Sequence, residues 1–144
     1  MKKRLTTSRV IFHHSLSASG GVPQIREWHL ARGWEDIGYH YVVTDSGDVQ
    51  SGRDLRLQGA HTYGRNRDSV GVCLVGDFRY TEPSYEQIGG AQRLYHQLCR
   101  IYSKSLDIEF HRDTDDQNPC PGVMLDRYDF LEILKRADPY HLEN

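Results

Sequence analysis

The chain has 144 residues, with 18 Lys+Arg against 20 Asp+Glu, a net charge of −2 and a pI near 6.4. It therefore lacks the positive field that draws nucleic acid or anionic lipid. Hydrophobic residues make up 38% of it, mean hydropathy is −0.68, and no window approaches the ~20 apolar residues of a membrane span. Aromatic residues at 10% are too many for a disordered segment, and the length suits one domain whose core needs no metal or disulfide to fold.

The first residues, Met1-Lys2-Lys3-Arg4, are basic, but no apolar stretch of signal-peptide length follows them. Arg9–His14 is β-branched and aromatic and reads as a strand ending in His13-His14. Small residues from Ser15 to Gly21 form a loop, Pro23 suits the first turn of a helix reaching Arg32, and Gly33 is placed to end it. Tyr39–Thr44 and Asp48–Ser51 flank Asp45-Ser46-Gly47 as a hairpin. Leu55–Arg67 has little periodicity and reads as a surface loop.

Val70–Val75 is apolar on both faces, as a central strand covered on two sides must be. Ser84 and Gln87 stand at capping-box spacing ahead of Ile88, Ala91, Leu94, Tyr95, Leu98 and Ile101, which recur at helical spacing to about Ser103. Leu106–Phe110 is a last strand leading into His111. Tyr128, Leu131, Ile133 and Leu134 lie on a closing helix. The order gives an α/β fold, a single domain with a central mixed sheet flanked by helices.

Cys73, Cys99 and Cys120 cannot all pair within one molecule, and they lack the density of a disulfide scaffold. Cys73 and Cys99 sit in apolar settings and read as small buried hydrophobes. Cys120, between Pro119 and Pro121 in a polar loop, is different. One histidine of the His13-His14 pair, His111 and Cys120 supply two nitrogens and a sulfur. Three such ligands leave the fourth tetrahedral position of a zinc ion open, the arrangement of a catalytic rather than a structural site.

Ile11-Phe12-His13-His14-Ser15, then Gly38-Tyr39-His40-Tyr41, Gly59-Ala60-His61, Asn66 with Ser69–Gly76, His111-Arg112-Asp113 and Cys120-Pro121-Gly122 follow in order over nearly the whole chain. This pattern resembles the type 2 N-acetylmuramoyl-L-alanine amidases, a family of small phage endolysins and animal peptidoglycan recognition proteins. The likeness is greatest to short, single-domain phage enzymes, so residues 1–144 are expected to be one catalytic domain with no separate wall-binding domain.

The resemblance implies one Zn²⁺ per chain and cleavage of the amide between the lactyl group of N-acetylmuramic acid and L-alanine. Counted from Ile11, it makes His14, rather than His13, the first metal ligand, with His111 and Cys120 as the others. It makes Tyr39 a donor to the attacking water or the oxyanion. The family's lysine or threonine two residues before the cysteine is here Asn118, an oxyanion donor without charge, and Gln117 competes for that place because the loop is one residue longer. His61 and Asn66 are expected at the substrate groove. Arg53, Arg56, Arg65 and Arg67 either attract stem-peptide carboxylates or keep a loop soluble.

The implied partner is bacterial peptidoglycan, met by a monomer that is made in the cytoplasm and reaches the wall through a holin-type or other route. Two alternatives stand beside the enzyme. One is a non-catalytic peptidoglycan-binding protein, although recognition-only relatives typically lose the cysteine. The other is a phage amidase that also binds and inhibits RNA polymerase.

Overall fold

The computed structural model describes residues 1–136. Five strands form one sheet: β1 (Arg9–His14), β2 (Tyr41–Val43), β3 (Val49–Ser51), β4 (Ser69–Leu74) and β5 (Asp107–Phe110), in the order β3-β2-β4-β1-β5. β1 runs parallel to both neighbours and β2 parallel to β4, while β3 is the antiparallel edge strand that closes the hairpin. The helices are α1 (Val22–Ala31), α2 (Tyr85–Tyr102), the single turn α3 (His111–Thr114) and α4 (Arg127–Lys135). The mixed sheet flanked by helices agrees with the sequence reading. The loop read over Leu55–Arg67 also holds a bridge from Leu57 to Lys3 and leads into a 3-10 turn at Asn66–Asp68.

Both faces of the sheet are covered, so side chains alternate between two dry compartments. Val10 and Phe12 of β1 join Val70, Val72 and Leu74 of β4 in the larger core beneath α2 and α4. Cys73 instead packs with Val22 and Ile25 of α1, Ile37, Val42 and Val75 on the opposite face. The parallel register sets Phe12 beside Val72, His13 beside Cys73 and His14 beside Leu74. The two histidines therefore belong to different faces.

α2 begins at Ser84, whose hydroxyl accepts from the Gln87 N–H at 3.1 Å. The expected reciprocal bond of a capping box does not form. The Gln87 side chain is buried and donates to the carbonyls of Val43 (3.1 Å) and Val75 (2.8 Å). It thus ties α2 to the ends of β2 and β4. On α4 the buried residues are Phe130 and Leu134, whereas Tyr128 points to solvent.

The N-terminal arm is held by Arg4, a buried guanidinium that donates to Thr7 Oγ1, Leu57 O and Tyr102 Oη. Beside it, His40 bridges the arm and the sheet. Its Nδ1 accepts from Gly71 N–H and its Nε2 donates to Leu57 O. Gln87→Leu removes a donor from two buried carbonyls, which costs about 1–3 kcal/mol. The expected result is a lower urea midpoint with an unchanged m-value; an unshifted midpoint would show that the bridge carries no stability.

Candidate metal centre and cleft

The C-terminal ends of parallel strands are where ligands gather in open α/β sheets. β1 and β5 are neighbours, so their ends bring His13 and His111 together, with ring centroids 4.8 Å apart. The loop after α3 returns the third group. Arg112 N–H donates to Cys120 O at 2.9 Å, and the Arg112 guanidinium donates to Gly122 O at 2.9 Å. The Cys120–Pro121 peptide is cis. Gly122, at φ +103°, lies so near residue 78 that a Cβ would stand 2.3 Å from the Phe78 carbonyl carbon. Only glycine fits there.

His13, His111 and Cys120 place one donor atom each within 4.8 Å of one another. His13 Nδ1 and Cys120 Sγ are 3.8 Å apart, close to the roughly 3.6 Å that tetrahedral zinc bond lengths require. Two imidazoles and a thiol are a donor set suited to zinc, and three protein ligands leave one position open.

The structure groups His13, and not the expected His14, with His111 and Cys120. The physical cause is the period of the strand. His14 points to the larger core, stacks on Phe78 and accepts from the Phe78 N–H through Nδ1 at 3.1 Å. Its backbone still serves the centre, because His14 N–H donates to Cys120 Sγ at 3.3 Å.

Burial pushes the Cys120 thiol up to about 11, opposed by the His14 N–H and by Arg112. Burial also lowers both imidazoles, with His111 and His14 adding to the effect at His13. The nitrogens are therefore neutral donors near pH 7, whereas the thiol must lose its proton to bind a metal.

The three donors lie in a cleft of about 320 Å³ also lined by Leu16, Trp28, Arg32, Trp34, Tyr39 and Asn118. Tyr39 shares a hydrogen bond with Cys73, and burial together with the thiols of Cys73 and Cys120 raises it well above its ordinary value. It stays a phenol, hence a donor. Asn118 Oδ1 accepts from Cys120 N–H at 3.0 Å, which leaves its NH2 group as the donor at the cleft. Gln117 contacts Asp115 and Asp116 on the exposed side of the loop, so of the two it is Asn118 that lines the cleft.

Other expectations change. His61 reaches the cleft wall, but both its ring nitrogens are engaged by protein, with His13 and Thr62 on one and Ser69 on the other. Asn66 is turned inward, its Oδ1 accepting from the N–H groups of His61 and Thr62. Arg53 is buried and donates to the carbonyls of Ile37 and Gln58, while Arg56 pairs with Asp54. Asp113 holds Phe110 N–H and pairs with Arg127. Sequence reasoning missed Trp28 and Trp34, whose signal was large aromatics on or beside a short helix with no apolar partners in its pattern; the structure leaves both exposed.

The N-acetylmuramoyl-L-alanine amidase family model matches residues 3–123. The chain belongs to the N-acetylmuramoyl-L-alanine amidase family. It is 45% identical over 138 residues to the endolysin of Enterobacteria phage T3, covering 88% of each chain. The N-acetylmuramoyl-L-alanine amidase LysC of Clostridium intestinale superposes with a TM-score of 0.82 at 26% identity, over 88% of this chain and 84% of that one. Peptidoglycan recognition protein LB of Drosophila gives 0.73 at 27% identity, over 99% and 91%.

His29 in the cleft wall and His40 are both held neutral. Each uses Nδ1 to accept a backbone N–H, from Gly38 and Gly71 respectively, and burial, then nearby arginines, lowers each to about 4. An unfolded chain takes up these protons near 6.5 and the folded one only near 4, so stability is full above about pH 6.5 and falls toward pH 4. The urea midpoint of the metal-free protein is expected to drop between pH 7.5 and 5. A flat profile there would contradict the assignment.

Proposed function

We propose that this amidase hydrolyses the amide between the lactyl group of N-acetylmuramic acid and the L-alanine of the peptidoglycan stem, using one zinc ion held by His13, His111 and Cys120. The observation that carries the reading is the convergence of those three donors at one cleft. When bound, zinc supplies Lewis-acid polarisation of the scissile carbonyl and lowers the pKa of water.

The chain's own groups do the rest. Tyr39, held as a phenol in the cleft wall, donates to the oxygen that gains charge at the reacting carbon. The Asn118 NH2 group is a second, uncharged donor, and its carbonyl fixes the backbone that carries the sulfur. Trp28 and Trp34 offer apolar faces to the sugar, and Arg32 offers a guanidinium to a stem carboxylate. Among the described residues no helix is long and apolar enough to cross a membrane. Similarity to phage endolysins supports a role in host lysis, with the domain acting on the wall once released to it.

The test is release of stem peptides from diaminopimelate-type peptidoglycan, read as new L-alanine amino termini. Zinc-loaded wild type is expected to be active. His13→Asn and Cys120→Ser should lose on the order of 10³-fold or more, and His14→Gln less than about tenfold. Tight binding to the wall without release would make the chain a recognition protein. Loss in His14→Gln with retention in His13→Asn would reverse the ligand assignment.

A further inference from the structure

A hydrogen-bond chain runs inward from the cleft and ends on the backbone. His13 Nε2 lies 2.9 Å from His61 Nδ1 and 3.2 Å from Thr62 Oγ1. On the far side of the ring, His61 Nε2 lies 3.2 Å from Ser69 Oγ, which is 2.7 Å from Arg65 O. The carbonyl of Arg65 can only accept, so it takes the Ser69 hydroxyl proton. Ser69 Oγ must then accept from His61, which puts the His61 proton on Nε2. His61 Nδ1 is left as an acceptor between His13 Nε2 and Thr62 Oγ1, each 2.9 Å away. Whichever way the Thr62 hydroxyl turns, a bare His13 Nε2 would set its lone pair against that of Nδ1. His13 Nε2 must therefore carry a proton, directed to Nδ1 or to Thr62 Oγ1. One arrangement remains for His13: Nε2 protonated, with the Nδ1 lone pair directed toward Cys120.

The reverse assignment fails at each link. A proton on His13 Nδ1 would leave two ring lone pairs facing each other at 2.9 Å. A proton on His61 Nδ1 would leave His61 Nε2 facing an oxygen whose only hydrogen is spent on Arg65 O.

The His61 ring cannot turn away to relieve either. It lies flat over two glycines: a Cβ on Gly71 would come within 2.4 Å of the ring and one on Gly59 within 2.6 Å. Asn66 fixes the backbone at residues 61 and 62. The slot, the loop and the terminal carbonyl together hold one orientation and one tautomer.

We infer that His61 and Ser69 are positioning residues, which hold His13 in the single tautomer that presents Nδ1 to a metal before any metal arrives. The inference rests on the zinc reading for its purpose, while the tautomer is a property of the metal-free protein. Partners of this kind typically contribute 10–100-fold to metal affinity, by orienting the ring and by keeping the wrong nitrogen from competing.

The first readout is made on metal-free wild type labelled with ¹⁵N at histidine, using two-bond ¹H–¹⁵N correlation at pH 8. Both His13 and His61 are expected as Nε2–H tautomers; a proton on Nδ1 of either overturns the inference. The second is zinc affinity by competition with a chromophoric chelator. His61→Leu fills the slot without nitrogens and is expected to bind zinc about 10–100-fold more weakly. His61→Gln, able to accept from His13 and donate to Ser69, should recover most of that loss. Equal affinity in His61→Leu and wild type, or equal loss in the Leu and Gln variants, would contradict it. If wild type binds no zinc, the proposed function fails, yet the tautomer readout still decides this inference. It also decides the case in which His61→Leu does not fold.

Discussion

The alternation of side chains along β1, enforced by burial on both faces, is the constraint from which the site follows. Phe12 must lie in the core under α2 and α4, and a one-residue slip would move it out and bring Ile11 in. With that register fixed, His13 faces the α1 side, where the cleft opens, and His14 faces Phe78. Two adjacent histidines thus do different work. One places its ring nitrogen with the donors of His111 and Cys120, a set that could hold a metal, and the other supports that cluster through its backbone N–H and packs by its ring.

The same sheet order determines the remaining geometry. β5 lies beside β1, so the residue after Phe110 arrives next to the end of β1. The loop that carries Cys120 is closed by backbone bonds and by the contact of Gly122 with Phe78, and Phe78 N–H is in turn held by His14. The ring excluded from the metal set therefore braces the segment on which the cysteine loop rests. Burial makes the imidazoles neutral and raises the thiol, so the centre is a preformed donor set that loses one proton when it takes a metal.

Much of this was legible in the residues. β-branched runs marked β1 and β4, and β1 matches the expected bounds Arg9–His14. Ser84 marked the start of α2, and His111 and Cys120 stood out by their settings. The misreadings share a cause. Choosing between His13 and His14 needed the face of the strand, and a strand covered on both sides carries no polar alternation from which to read it. Gln87 looked like a capping residue because its spacing fits, but two buried carbonyls competed for its amide. His61, Asn66 and Arg53 are polar residues in a loop, a pattern shared by groove residues and by those that satisfy buried backbone. Only the fold separates them: Asn66 and Arg53 satisfy buried backbone groups, while the His61 ring bonds the side chains of His13, Thr62 and Ser69 at the cleft wall.

Strand alternation places His13, and not its neighbour, with His111 and Cys120. Anomalous diffraction at the zinc edge from crystals of the zinc-loaded protein tests it most directly. The expected result is a single peak bonded to His13 Nδ1, a ring nitrogen of His111 and Cys120 Sγ, with the His14 ring still stacked on Phe78. A peak bonded to His14, with Phe78 N–H released, would contradict it.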